Sequence, residues 1–159
     1  MMKKILAALI VPLMSGCSSD DNCCPIIEAT MLFSVENSEG LDLLNPNSEA
    51  IDINLIKIFY TNENNELVEV NKPQLDASKG YVVIVPEMDY PYSIKVFLNT
   101  EYIKDNVSYT HIEWSSHSMD EIKTEFNLSN NNIIAKKIWV NNQLKWESST
   151  DKLPITLIK

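Results

Sequence analysis

The fold is decided by residues 133–146, which read IIAKKIWVNNQLKW. Two runs rich in β-branched and aromatic residues, 133–140 and 144–146, flank the pair Asn141-Asn142. Asparagine tolerates a positive φ, which a two-residue hairpin turn requires at both of its central positions. The stretch therefore predicts two antiparallel strands that are joined by a tight turn.

Similar short patterns continue outward from this hairpin in both directions. They lie at residues 30–35, 51–60, 67–70, 81–85, 92–98, 107–114, 122–128 and 155–158. No window of twelve residues keeps a convincing 3.6-residue period, although residues 119–124 allow one helical turn. About nine short strands at intervals near ten residues predict an all-β fold, either an antiparallel β-sandwich or a barrel. We expect the β-sandwich, of Ig-like or transthyretin-like type.

Two of these runs carry more detailed predictions. In residues 51–60 the apolar face changes parity near Leu55 and Ile56, which predicts a β-bulge. Residues 81–85 are continuously apolar between Gly80 and Pro86, which predicts a buried strand.

Three tryptophans are the candidate ligand-binding residues. The hairpin turn places Trp139 opposite Leu144, and Trp146 follows two residues further on, so these three side chains are expected to form one apolar stripe. If the stripe or Trp114 is exposed, the rings can stack on sugars. If they are buried, they belong to the core, because tryptophan buries a large apolar area.

The first seventeen residues predict secretion. Lys3 and Lys4 precede ten apolar residues, 5–14, and Ser15-Gly16 leads into Cys17. The apolar run is too short to cross a bilayer, which takes about 20 residues. A basic start, a short apolar segment and a small-residue exit are typical of a signal peptide, here residues 1–16. A chance cysteine after an ordinary secretion signal is the alternative.

The sequence Leu-Met-Ser-Gly-Cys at 13–17 resembles the lipobox of bacterial lipoproteins, with Met14 where leucine is commoner. The resemblance implies that Cys17 receives a diacylglyceryl group and that the chain is cut just before it. The next residues resemble the surface-export signal of Bacteroidota lipoproteins, and the residues concerned are Ser18, Ser19, Asp20, Asp21 and Asn22. That resemblance implies an outer-membrane protein exposed at the cell surface; the alternative is a polar spacer.

The region after the signal is similar to small lipoproteins of flavobacteria and their relatives. The likeness rests on the Cys23-Cys24-Pro25 tether, the loop GLDLLNP at 40–46 and the hairpin IWVNNQL at 138–144. It implies a location and a fold but no functional residues. We therefore expect a lipidated acidic tether at 17–27 and one β-sandwich domain at 28–159.

Charge and cysteine content narrow the choice of function. Two of the thirteen lysines leave with the signal, so eleven lysines face 22 acidic residues, and the chain has no arginine. Such an acidic surface argues against the binding of nucleic acid and against direct electrostatic binding of anionic lipid. Cys23 and Cys24 are adjacent, so they predict an interchain bond, a strained vicinal ring or no essential role.

Metal sites and catalytic groups are weakly indicated. His111 and His117 are the only histidines, and a transition-metal site with the nearby acidic residues competes with simple exposure of both rings; those acidic residues are Glu113, Asp120 and Glu121. Two loops offer calcium-type oxygen ligands without EF-hand spacing, namely Asp42, Asn45 and Asn47, and Glu63, Asn64 and Glu66. Turn formation explains the same residues.

The sequence therefore predicts an outer-membrane lipoprotein that acts as a non-catalytic binding or structural module without a cofactor. Its partners are the membrane, through lipid on Cys17, and a protein or glycan ligand. The alternative is a carbohydrate-binding accessory protein of a glycan-uptake system. An enzyme would need clustered titratable groups in a pocket.

Overall fold

The structure, a computed structural model, describes residues 24–48, 50–86, 91–115, 118–148 and 154–159. Two β-sheets pack face to face, which confirms the all-β sandwich. The described residues contain eleven strands and one turn of 3₁₀ helix at Pro46–Ser48. The strands are β1 (Ile27–Glu28), β2 (Thr30–Glu36), β3 (Lys57–Thr61), β4 (Leu67–Glu69), β5 (Tyr81–Ile84), β6 (Ser93–Phe97), β7 (Val107–Ser115), β8 (Ser118–Ser129), β9 (Asn132–Val140), β10 (Gln143–Glu147) and β11 (Ile155–Ile158).

The larger sheet has the order β1-β9-β8-β7-β3-β4, and β10 also pairs with β9. β1 lies beside the first half of β9 and β10 beside its second half, so both occupy the same edge. The smaller sheet has the order β11-β2-β6-β5. The pairs β1–β9 and β11–β2 are parallel, so both sheets are mixed and not wholly antiparallel as predicted.

Alternation of buried and outward-facing residues along the long strands of the larger sheet places the core between the sheets. In β8, Ile122, Thr124 and Phe126 are buried, whereas Lys123 and Glu125 are half-buried on the outer face. The smaller sheet contributes a matching set of fully buried side chains, Phe33, Val35, Ile94 and Val96. Each such side chain contributes roughly 1.5–3 kcal/mol when it leaves water.

The Asn141-Asn142 turn forms as predicted, with φ of 48° and 67°. Leu144 pairs with Trp139, also as predicted. The register then shifts, because Trp146 pairs with Ile138 and Lys145 is left as an extra residue. This bulge turns Trp146 to the inner side of the sheet, so the prediction of one stripe with Trp139 and Leu144 is wrong.

Two local predictions are also wrong, and one possibility that the sequence allowed is not realised. Residues 51–56 precede β3 as turns, in which Asp52 Oδ1 accepts a 2.9 Å hydrogen bond from the Asn54 N–H, so the parity change marks a strand boundary and not a bulge. Residues 119–124 lie in β8 and form no helical turn. β5 is an edge strand with exposed Val82 and Ile84, so it is not buried.

Several predictions fall outside the described residues: the signal peptide 1–16, lipidation of Cys17, the export signal Ser18–Asn22, Cys23 and His117. Cys24 is described and is exposed. Within the described part of the chain, no helix has the length and apolar character needed to cross a membrane.

Candidate functional site

The outer face of the larger sheet carries a row of side chains in register, one from each of six neighbouring strands. We name this the outer row, and its members from β10 to β4 are Leu144, Trp139, Lys123, Tyr109, Thr61 and Leu67. The row exists because odd-numbered residues of β7 and β8 face outward while even-numbered ones enter the core.

Two aromatic rings of the outer row are partly exposed, those of Trp139 and Tyr109. The Lys123 ammonium lies between them and sits 4.9 Å from the centre of the Trp139 ring, a cation–π contact. Trp139 and Tyr109 lie on β9 and β7, which are two strand spacings apart, so their backbone positions are separated by about 9.5 Å across the sheet. The partly exposed Phe59 ring lies beside them on β3, where it pairs with His111.

A groove of about 620 Å³ opens beside Tyr109 at one end of the outer row. Its walls are the β3–β4 turn and the loop that joins the two sheets before β7. Polar and aromatic side chains line these walls, among them Asn62, Glu63, Asn65, Tyr102, Lys104 and Asp105. The volume lies within the usual range of small-molecule sites.

Asn99 holds the loop that forms one wall of this groove. Its side chain is completely buried, and its amide donates to the carbonyl oxygens of Thr61 at 3.0 Å and Tyr109 at 3.1 Å. Its Oδ1 accepts from the N–H groups of Glu101 and Tyr102, which curls the loop toward the sheet. The buried Asn99 amide therefore ties this wall of the groove to β3 and β7.

The opposite wall is a turn that Asn62 organises. Asn62 Oδ1 accepts hydrogen bonds of 2.9 Å from the N–H groups of Asn64 and Glu66, and its amide donates to Glu66 Oε2. Asn65 takes the left-handed conformation that closes the turn. Of the predicted calcium set Glu63, Asn64 and Glu66, the turn engages a side-chain oxygen of Glu66 and the backbone N–H of Asn64.

Turn bonds likewise occupy the other predicted calcium set. One carboxylate oxygen of Asp42 accepts a hydrogen bond from the Leu44 N–H at 2.9 Å, and the other accepts one from the Tyr92 N–H at 2.8 Å. Asn45 Oδ1 accepts from the Asn47 N–H. No group of three or more histidine, cysteine or acidic side chains lies in metal-binding proximity within the described residues.

His111 lies on the outer face, next to the outer row. Its Nε2 is 3.1 Å from the Thr61 hydroxyl, and it pairs across strands with Glu121. Partial burial lowers the pKa of His111 and outweighs the opposing charge of Glu121, so the ring is neutral at pH 7. The contact between His111 and Thr61 fixes the Thr61 hydroxyl at the rim of the groove.

Trp114 lies in the core and not on the surface, which makes the ligand-binding prediction for it wrong. Only 2% of it is exposed, and its Nε1 donates to Asp120 Oδ2 at 2.7 Å. Lys159 Nζ reaches the same oxygen at 2.7 Å, and the Asn141 amide donates to Oδ1. We name these four side chains the Asp120 network.

The Asp120 carboxyl stays ionised although it is almost completely buried. Burial alone would raise its pKa, but the bonds from Lys159, Asn141 and Trp114 and the charge of Lys159 together lower it. The network therefore has a structural role, tying the β9–β10 turn and the end of β11 to the core.

Of the three predicted tryptophans, only Trp139 has its ring on the outer face. Trp146 is half-buried and packs against the core. The sequence analysis did not identify Tyr109, Tyr102 or Asn99 as site residues. The one available signal was the alternation of β7, in which Tyr109 and its chain neighbour Thr110 point to opposite faces of the sheet. Comparison with protein-family models, with curated proteins and with solved structures finds no significant match in any of the three.

Proposed function

We propose that this chain is a lipid-anchored outer-membrane protein whose β-sandwich is a non-catalytic binding module exposed at the cell surface. The sequence around Cys17 supports the anchor. The observation that supports binding is the outer row with its adjoining groove, a ready-made concave site on a rigid sheet. The groove combines polar, charged and aromatic side chains, a lining that suits recognition of a small ligand.

Replacing Cys17 with alanine should move the protein from the membrane fraction to the soluble fraction. One acyl chain holds a protein only marginally, whereas two or three chains on one cysteine give lasting attachment. The measurement is fractionation together with metabolic labelling by a radioactive fatty acid, with Cys24→Ala as the matched control. Equal membrane retention and equal labelling of both variants would refute the anchor.

Protease treatment of intact cells then tests the location. The wild-type domain should be removed from intact cells as readily as from cells with a permeabilised outer membrane. Protection until the membrane is opened would place the domain in the periplasm and reduce residues 18–22 to a spacer.

Carbohydrate is the ligand class that the groove favours. Aromatic faces stack on the apolar faces of sugars, while amide, carboxylate and ammonium groups bond to hydroxyls. Tyr109 supplies a ring in the groove, with the polar groups of Asn62, Glu63 and Asp105 lining the same groove. Trp139 supplies a second ring outside it, two strands along the outer row. The wall residues carry more negative than positive charge, so a neutral oligosaccharide fits better than an anionic one.

Tyr109→Ala and Trp139→Ala should each weaken binding of a neutral oligosaccharide by about tenfold, which corresponds to about 1.4 kcal/mol. An array of neutral and uronic-acid glycans identifies the probe, and calorimetry measures its Kd. Phe97→Ala removes an exposed ring from the other sheet and should leave the Kd unchanged. Binding that survives loss of both rings, or that weakens equally in all three variants, would exclude the groove.

A further inference from the structure

A second concave surface lies at the end of the sandwich where the tether enters. This groove measures about 460 Å³ and is mainly apolar. Its apolar lining includes Ile27, Leu75, Val82 and Phe97. We name it the tether groove, because Ile27 belongs to β1, the first strand after the tether.

The apolar rim of the tether groove is unusually open to solvent. The exposed fractions are 62% for Ile27, 53% for Leu75, 39% for Val82 and 37% for Phe97. Ile26, immediately before the groove, is 49% exposed. A contiguous apolar patch of this kind on a folded domain marks an interaction surface.

The tether limits what this patch can meet. Ten residues along the chain separate Cys17 from Ile27, so the patch lies at most about 36 Å from the lipidated residue. The argument rests on the proposed lipidation of Cys17. If that lipid is in a bilayer, the first large surface within reach of the patch is the bilayer itself.

The tether groove is mainly apolar, although Thr30, Lys72, Asp76, Thr100 and Glu101 also line it. The Lys72 ammonium is paired with the Glu101 carboxylate and lies 5.8 Å from the centre of the Tyr60 ring. The Tyr60 hydroxyl donates to the Phe97 carbonyl at 3.0 Å. Contact with lipid therefore depends on buried apolar area and not on attraction to anionic headgroups, in keeping with the acidic net charge.

We propose that the tether groove rests on the lipid bilayer that holds Cys17 and thereby fixes the orientation of the domain. Val82 and Phe97 lie on the outer face of the smaller sheet, since their neighbours Val83 and Val96 point inward. The outer row belongs to the opposite face of the sandwich. The docked domain therefore points the Tyr109 and Trp139 side chains away from the membrane, while their groove adjoins the tether groove at Glu101, which lines both.

The test uses the full lipidated protein in vesicles of phosphatidylcholine with brominated acyl chains. Cys23 and Cys24 are replaced with serine, and a single cysteine carrying a fluorophore is placed by Val82→Cys or, as the matched control, by Leu144→Cys. Leu144 is 50% exposed on the outer row. Quenching at position 82 should be at least about twofold stronger than at position 144, since interfacial apolar groups sink several ångströms into the lipid.

A third variant, Leu75→Glu combined with Val82→Cys, should reduce the quenching to the level at position 144 while the protein stays anchored. Anionic phosphatidylglycerol or 0.5 M salt should leave the contrast unchanged, as expected for an apolar contact. Equal quenching at positions 82 and 144, in protein whose mass shows lipid on Cys17, would overturn the docking and leave the proposed function intact. A mass without lipid would overturn both.

Discussion

Replacing Asp120 with alanine should lower the free energy of unfolding by about 3 kcal/mol, as measured by urea denaturation. The carboxylate is 4% exposed and accepts three hydrogen bonds, two of them from the core Trp114 and from Lys159. Its loss leaves the Trp114 indole N–H buried without an acceptor and the Lys159 ammonium without its counter-charge. A hydrogen bond to a charged group contributes about 1.5–3 kcal/mol, and unsatisfied buried donors add to the loss.

Two further variants separate charge from hydrogen bonding. Asp120→Asn keeps the volume and one acceptor, and Lys159→Met removes the cation. If the ion pair matters, the double variant should be less destabilised than the sum of the two single variants. Strict additivity would show that the pair contributes nothing beyond its separate parts.

The Asp120 network also predicts a pH dependence. The pKa of Asp120 is lower in the folded chain than in the unfolded chain, so its contribution is present above the unfolded value, about 4, and is lost as the pH falls through the folded value. The stability gap between wild type and Asp120→Asn should therefore be constant from about pH 5 to 7 and narrow below about pH 4. A gap that widens in acid would contradict this assignment.

Gly80→Ala should destabilise the domain by about 2–4 kcal/mol. Gly80 has φ of +79°, and an added Cβ would lie 2.9 Å from Val70 Cγ1 and 3.3 Å from Ile58 Cβ. Val70 and Ile58 are buried core residues, so neither can move aside cheaply. Left-handed strain and core crowding therefore act together.

Gly40→Ala is the matched control for that substitution. Gly40 has nearly the same φ, +81°, but an added Cβ would meet nothing within 4 Å. Gly40→Ala should lower the free energy of unfolding only by the cost of left-handed backbone strain, about 1–2 kcal/mol. Equal losses for the two glycines, measured by thermal or urea unfolding, would show that crowding at Gly80 is absorbed without cost.

The strand pattern was predictable where one face meets water and the other the core. In β7 and β8 the alternation of apolar and polar residues matches the inner and outer faces. The Asn141-Asn142 turn was predictable because few residues other than glycine and asparagine accept its backbone angles. The prediction of a bulged strand over residues 51–60 was wrong in its first half because the apolar residues Ile51 and Ile53 pack against the core from turns and not from a strand.

The candidate site was less predictable because a single bulge or a buried amide decides it. Nothing in the sequence marks Lys145 as the extra residue that turns Trp146 inward. Trp114 shares the parity of Ile112 in β7, so its burial was accessible to pattern reasoning once the strand was accepted. Asn99 resembles any loop asparagine in sequence, and only the approach of β3 and β7 gives it its partners.

The short parallel pairing of β1 has a mechanical consequence for an anchored domain. If the domain is anchored, a pull between the tether and a bound ligand enters the sandwich near Ile27. This segment is held to β9 by two residue pairs and by two hydrogen bonds of Ile26, one from the Ile133 N–H to its carbonyl at 2.9 Å and one from its N–H to Asn132 Oδ1 at 2.8 Å. The next strand, β2, is seven residues long and is hydrogen-bonded on both sides, to β6 and β11. Under load we therefore expect β1 to detach first, which lengthens the tether by a few residues. The body of the sandwich resists the same load in shear.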